Sequence, residues 1–211
     1  MRLAYRDIAA GSPGPTVVVL HREGTASSID GLAEVVRASG AVGRVVAPVG
    51  DYAYTASGME VAGVCWYRIL PGFAGTDPIS LAKAVVQVCD LLDDLALEQP
   101  AIIGCGQGGV VALGAGLLRA GTVGSIACVD AIPEHVGLLP AAALAAATRP
   151  RVLLGVTDPG AGPTLDGLEA QLRPHGIDAV GWLWSEEEDG KDRDDALARR
   201  IGSWLDEGGS G

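Results

Sequence analysis

The chain has 211 residues, of which 48% are hydrophobic and 19% are charged, and its formal net charge at pH 7 is −11. This length and composition suit one compact globular domain and exclude an intrinsically disordered chain. The negative charge argues against nucleic acid and anionic membranes as partners, and no apolar run is long enough to span a bilayer. The N-terminal residues lack the pattern of a signal peptide, so we expect a cytoplasmic protein.

Short apolar runs bounded by Gly, Pro or Asp predict the strands of a sheet. These runs cover residues 3–8, 16–20, 44–48, 101–105, 125–130, 151–156 and 179–184. Apolar residues at helical spacing between the runs predict helices over 28–39, 79–98, 107–120, 140–148, 164–174 and 192–206. Strands that alternate with helices are typical of an α/β fold, in which helices cover both faces of a mainly parallel sheet. We expect one domain over residues 1–206 and a flexible tail over the glycine-rich residues 207–211.

The cysteines give no sign of a metal site or of a disulfide framework. Cys65, Cys89, Cys105 and Cys128 form no C-x-x-C pair and have no histidine at a ligand spacing. We therefore expect no metal and no cofactor. The sequence leaves the oligomeric state open, with a homodimer as one option.

The stretch "AIIGCGQGG" (101–109) is the clearest functional motif of the chain. An apolar strand runs into a glycine-flanked bend and then into a helix of small residues, which is the layout of a nucleophile elbow. The centre of the bend is Gly106, which has no side chain to act as a nucleophile. In parallel sheets, ligands bind at the carboxyl ends of the strands, so we expect the functional site beside this bend.

Four further motifs accompany the elbow: "LHREG" (20–24), "CWYR" (65–68), "LGVTDPGAGP" (154–163), and "DGKDRDD" (189–195) shortly before "SWL" (203–205). Together with "GCGQGG" (104–109), they resemble the α/β-hydrolase fold. Within it, they are most similar to the small carboxylesterases and acyl thioesterases of the phospholipase/carboxylesterase group. The resemblance runs from Thr16 to Leu205 and implies a mainly parallel sheet without a large cap domain.

The resemblance also implies positions for a Ser–His–Asp triad. It places Asp158 at the acid, Gly106 at the nucleophile and Lys191 at the histidine. Because two of the three positions are changed, we do not expect serine-type hydrolysis. Lys191 then has two interpretations: a salt bridge with Asp158 that joins two loops, or an ammonium that binds an acidic ligand.

The oxyanion loop and the pocket wall are implied in the same way. His21 belongs to the loop, and the backbone N–H groups of Glu23 and Gln107 would point into the site. If Glu23 turns its carboxylate inward, it could act as a general base; otherwise it is a solvated loop charge.

Aromatic and thiol side chains near the site have two interpretations each. Tyr52, Tyr54, Trp66 and Tyr67 stand in two loops that should meet over the bend, where they pack in the core or form the wall of a ligand cleft. Cys105 and Cys65 are candidate replacement nucleophiles, or inert buried thiols.

The sequence leaves three functions open, each of which uses a small molecule in the cleft. The first is a non-hydrolytic enzyme of the isomerase, cyclase or lyase type. The second is a catalytically inactive pseudoenzyme that binds a small molecule or a protein partner. The third is a carboxylesterase or thioesterase with an unorthodox nucleophile, a cysteine or a water.

Overall fold

A computed structural model describes residues 3–9, 13–24, 26–54, 63–70, 75–145, 149–186 and 192–208, with the backbone alone for residues 9, 26–29, 54, 163 and 208. The strands are β1 (Tyr5–Ala9), β2 (Thr16–Leu20), β3 (Arg44–Pro48), β4 (Tyr52–Tyr54), β5 (Gly63–Cys65), β6 (Ala101–Cys105), β7 (Ser125–Val129), β8 (Arg151–Val156) and β9 (Ala179–Leu183). The helices are α1 (Ala26–Ala38), α2 (Pro78–Leu95), α3 (Gln107–Leu118), α4 (Pro133–Val136), α5 (Ala141–Leu144), α6 (Gly162–Leu172) and α7 (Arg193–Gly208).

The central sheet has seven strands in the order β1-β3-β2-β6-β7-β8-β9. Neighbouring strands run parallel throughout, except that β1 pairs with β3 in the antiparallel direction. The predicted α/β class and the mainly parallel sheet are therefore confirmed. Because β2, β6, β7 and β8 run parallel to one another, their carboxyl ends lie along the same edge of the sheet. The predicted motifs that follow these strands therefore lie at this edge.

Two buried clusters, one on each face, hold the helices against the sheet. One includes Leu81 and Val85 of α2 and Leu113 of α3. The other joins Val36 of α1 and Ile201 of α7 to the opposite face. The inner strands are apolar throughout because each of them packs against helices on both faces of the sheet. In the described residues, no helix has the length and apolar character needed to cross a membrane.

Several local features differ from the sequence prediction, and the short helix α4 (Pro133–Val136) was not predicted. Strands β4 and β5 pair as a separate antiparallel hairpin, whereas residues 49–64 read as a loop; strands of three residues are too short to show an alternating pattern. Helix α2 begins as predicted, with Asp77 accepting a hydrogen bond from the Ile79 N–H at 3.0 Å. It ends three residues earlier than predicted, because Ala96 adopts a left-handed backbone with φ of 46°.

The last helix continues through Gly208, two residues past the predicted domain end at 206. Its final turn is tied to the sheet, since Arg151 at the start of β8 donates a hydrogen bond to the Glu207 carboxylate at 3.1 Å. Residues 209–211 of the predicted tail lie outside the described residues.

Candidate functional site

The bend between β6 and α3 has the predicted strand–turn–helix course. Gly106 adopts φ of 57° and ψ of −124°, in a region of backbone space that side chains rarely tolerate. Its N–H donates to the carbonyl of Val129 at 2.9 Å, and its own carbonyl accepts from the Gly109 N–H at 3.0 Å. These bonds fix the bend at the edge of the sheet, with the first turn of α3 directly behind it.

The carboxylate of Glu23 lies over this bend. Its Oε2 accepts a hydrogen bond from the backbone N–H of Gln107 at 2.9 Å. A Cβ atom added to Gly106 would lie 2.6 Å from the same oxygen. The N-terminal N–H groups of a helix favour an anion, and here the chain supplies its own. Of the two orientations considered for Glu23, the structure has the inward one.

Arg22, the residue before Glu23, bridges three strand ends. Its Nη2 donates to Cys105 Sγ at 3.3 Å and to Asp130 Oδ2. Asp130 follows β7, and its carboxylate accepts from both the backbone N–H and the hydroxyl of Thr157 at 2.7 Å, just after β8. Asp130 itself adopts a left-handed φ of 49°. A non-glycine residue keeps such a conformation only where its surroundings fix it, and these three bonds do so.

Four of the predicted site residues support the loops from inside the protein. His21 Nε2 accepts from the Gly50 N–H at 3.0 Å, so the proton is on Nδ1, which donates to the Arg22 carbonyl at 2.7 Å. Gln107 Oε1 accepts from the backbone N–H groups of Trp66 and Tyr67 at 3.0 and 3.3 Å. The Trp66 indole N–H donates to the His21 carbonyl at 2.8 Å. The side chains of His21, Gln107 and Trp66 therefore fix the relative position of the 20–24 loop and α3.

Trp66 and Tyr67 are buried in the core, with 1% and 0% of their surface exposed. Of the two interpretations given to them, core packing describes their position. The Tyr67 hydroxyl is bonded to Nδ1 of His135 at 2.8 Å. Burial raises the pKa of Tyr67, so its hydroxyl stays protonated at neutral pH. His135 was not among the residues singled out from the sequence.

The remaining predicted residues lie near the rim of the site or outside the residues that the structure describes. Asp158 is exposed after β8, and its Oδ1 accepts from the Gly160 N–H at 2.9 Å. The Tyr52 ring lies between Arg68 and Lys83, whose charged groups are 4.9 and 5.1 Å from its centroid. Lys191 and the side chain of Tyr54 fall outside the described residues, so the pairing of Lys191 with Asp158 stays a prediction.

Burial makes the thiols near the bend poor nucleophiles. It raises the pKa of Cys65 to about 11 and also raises the pKa of Cys105. The thiolate is the reactive form of cysteine, so both side chains are thiols at neutral pH. Within the described residues, no group of three or more His, Cys, Asp or Glu side chains is placed to hold a metal ion.

A cavity of about 630 Å³ opens beside the bend. One wall is apolar and is formed by Ala131, Ile132, Pro133 and Val156. Charged side chains also line it, namely Arg22, Asp130, Glu134, Asp158 and Arg193. Asp130, Thr157 and Arg193 were not singled out in the sequence, although Asp130 and Thr157 directly follow buried strands, where a ligand site is expected.

Burial also makes stability depend on pH through His21. It lowers the pKa of His21, so the unfolded chain binds this proton more readily than the folded protein. Stability is therefore complete above about pH 6.5 and decreases as the pH falls through that value, by up to about 1.4 kcal/mol per pH unit for one group. We expect urea unfolding between pH 7 and pH 5 to show this decrease, and His21→Gln to reduce it; part of the decrease should remain, because burial also lowers the pKa of His135. The control is His175→Gln at an exposed histidine, which should keep the wild-type slope; an unchanged slope in His21→Gln would contradict the assignment.

Comparison with known proteins identifies the fold. No protein-family model and no curated protein sequence matches the chain. Among solved structures, a carboxylesterase from Mesorhizobium loti aligns with a TM-score of 0.71 over 97% of this chain and 94% of its own, at 22% identity. Esterase PE8 gives 0.67 over 98% and 99%, at 19% identity. A Bacillus cereus carboxylesterase gives 0.66 over 98% and 94%, at 14% identity. The predicted α/β-hydrolase fold is thereby confirmed, and the described residues include no large cap domain.

Proposed function

We propose that this protein of the α/β-hydrolase fold binds a small organic molecule in the cleft at the carboxyl ends of its strands, without hydrolysing esters by serine chemistry. Serine hydrolysis requires a nucleophile, a base and N–H donors for the oxyanion. Gly106 supplies no nucleophile. The observation that supports the proposal most directly is the Glu23 carboxylate, which lies over Gly106 and accepts the Gln107 N–H at 2.9 Å.

The cavity beside the bend suits a ligand of modest size. Its volume of about 630 Å³ lies inside the range of about 300–1,000 Å³ that is usual for small-molecule sites. One apolar wall and a few charged groups are also the usual lining of such sites. A binding role needs this cavity and no nucleophile.

A cysteine hydrolase is disfavoured by the same geometry. Burial raises the pKa of the Cys105 thiol, and this effect outweighs the lowering by Arg22, whose Nη2 lies 3.3 Å from Sγ. Cys65 has its pKa raised to about 11. Neither side chain has the low pKa that a catalytic thiolate requires.

A second candidate function is proton transfer by Glu23. Its carboxylate is held over Gly106, one residue along the chain from Arg22, which lines the cavity. A ligand that extends from the cavity to the bend could lose a proton to Glu23 from a carbon next to a carbonyl group and receive it back at another carbon. Such an isomerisation consumes no co-reactant. The inward orientation of Glu23, which a solvated loop charge would not need, favours this candidate.

Hydrolysis and binding can be tested on the same protein. We expect no turnover of p-nitrophenyl acetate, p-nitrophenyl butyrate or a short acyl thioester above that of Cys105→Ala and Cys65→Ala variants. Turnover that either variant abolishes would overturn the proposal in favour of a cysteine hydrolase.

Binding is measured with Nile red, a neutral apolar dye whose fluorescence rises in an apolar site. Thr164 lines the cavity, so Thr164→Trp should fill it and remove dye binding. Asp166→Trp is the matched control, because Asp166 is exposed on the same helix α6. Equal dye binding by both variants, or none by the wild type, would count against a ligand cleft here.

Proton transfer is tested by incubating the compounds that bind in D₂O and measuring their mass. Deuterium uptake by a compound that Glu23→Gln abolishes indicates proton transfer, and an unchanged mass of the compound indicates binding alone.

A further inference from the structure

A second cavity adjoins the one beside the bend, and the wall between them is positively charged. The second cavity has a volume of about 290 Å³ and lies between α1 and α7. Both cavities are lined by Arg22, Asp130, Thr157 and Arg193. This wall therefore holds two guanidinium groups and one carboxylate, a net charge of +1, in a chain whose net charge is −11.

The two arginines keep donors for a ligand. The hydrogen bonds of Arg22 to Cys105 and Asp130 both leave from Nη2, and 47% of its side chain is exposed. Arg193 is 57% exposed, and its Nε lies 3.6 Å from Asp194 Oδ1, which is longer than a hydrogen bond. Arginine binds carboxylates through paired N–H groups, and such charge-assisted bonds are stronger than neutral ones.

The rest of the larger cavity limits which anion fits. Ile132, Pro133 and Val156 offer an apolar wall that a fully hydrated ion would not use. Glu134 and Asp158 also line this cavity, and Asp158 lines an open hollow with Asp192 and Asp194 as well. Together with Asp130 they place three carboxylates against two guanidinium groups around the larger cavity, which disfavours a ligand with more than one negative charge. A single anionic group on an apolar body satisfies both walls.

We propose that the cleft takes an organic monocarboxylate with an apolar body, whose carboxylate binds between Arg22 and Arg193. This inference rests on the proposed binding function and names the class of its ligand. Arg193 is the better residue to test, because Arg22 also holds Cys105 and Asp130 in place.

The test compares acids with their uncharged amides by isothermal titration calorimetry. The pairs are 4-phenylbutyrate with 4-phenylbutyramide and hexanoate with hexanamide. We expect each acid to bind at least about tenfold more tightly than its amide, which is the effect of one charge-assisted contact. Arg193→Gln should bring the acid close to the amide, and Arg193→Lys should restore part of the difference. Added NaCl should weaken binding of the acids only.

The matched control is Arg173→Gln. Arg173 is 79% exposed and has a similar ion pair, with Glu169 at 3.6 Å. This variant should bind the acids as the wild type does. Equal affinities for acid and amide, an Arg193→Gln variant that binds like the wild type, or an equal loss in Arg173→Gln would each overturn the inference. Absence of acid binding would overturn it too. If Nile red still binds in any of these cases, the ligand cleft itself stands.

Discussion

Gly108→Ala is expected to destabilise the protein by about 3 kcal/mol or more, or to prevent folding. A Cβ atom at this position would lie 2.3 Å from the carbonyl oxygen of Leu20 and 2.4 Å from that of His21. Both are backbone atoms at the end of β2, which is paired on each side with β3 and β6. Neither the strand nor α3 can move aside without breaking the pairing in the middle of the sheet.

Urea unfolding measures this cost, and Gly31→Ala provides the control. Gly31 lies within α1, and a Cβ there would have no heavy atom within 4 Å. Alanine is favoured over glycine inside a helix, so we expect Gly31→Ala to stabilise the protein by about 0.5–1 kcal/mol. If both variants showed similar stability, the close packing of α3 on β2 would be wrong.

Gly106→Ala and Glu23→Ala are expected to be coupled. The new Cβ would lie 2.6 Å from Glu23 Oε2 and 3.1 Å from Arg22 Cγ. The carboxylate must then leave the Gln107 N–H, a charge-assisted bond whose loss costs about 1.5–3 kcal/mol. The left-handed φ of 57° adds strain of about 1–3 kcal/mol for any side chain.

A double-mutant cycle separates these two costs. Gly106→Ala should destabilise the wild type by about 2.5–6 kcal/mol, but by only about 1–3 kcal/mol in a Glu23→Ala background, where no carboxylate has to move. The coupling free energy, measured from urea unfolding of the four proteins, should be about 1.5–3 kcal/mol. Additive costs would mean that Glu23 does not lie over the bend.

The sequence contained most of the fold because its signals are local. The apolar runs of β2, β3, β6 and β8 coincide with the observed strands, since strands buried on both faces must be apolar throughout. The glycines on either side of Gly106 likewise predicted the bend from the local sequence alone. The hairpin of β4 and β5 was missed, because it is held by pairing rather than by a pattern.

The site was less predictable because its contacts join distant parts of the chain. Arg22 and Asp130 are separated by 108 positions, and no spacing rule connects them. Glu23 could face solvent or the bend on sequence grounds; the choice depends on the position of Gln107, 84 residues later. The position of Trp66 likewise involves a distant residue, because its indole N–H donates to the carbonyl of His21. Side-chain direction follows from the assembled fold and not from the motif.

The bridge from Arg22 through Asp130 to Thr157 has a consequence for anyone who wishes to re-engineer this scaffold. The loops that follow β2, β7 and β8 hold one another in their conformations, so none of them is expected to keep its conformation alone. A catalytic loop grafted from another protein at residues 20–24 would replace Arg22 and so remove its hydrogen bond to Asp130. It would also leave Asp130 in a left-handed conformation with one restraint fewer. Grafts are therefore expected to succeed as a set of three loops, transplanted together.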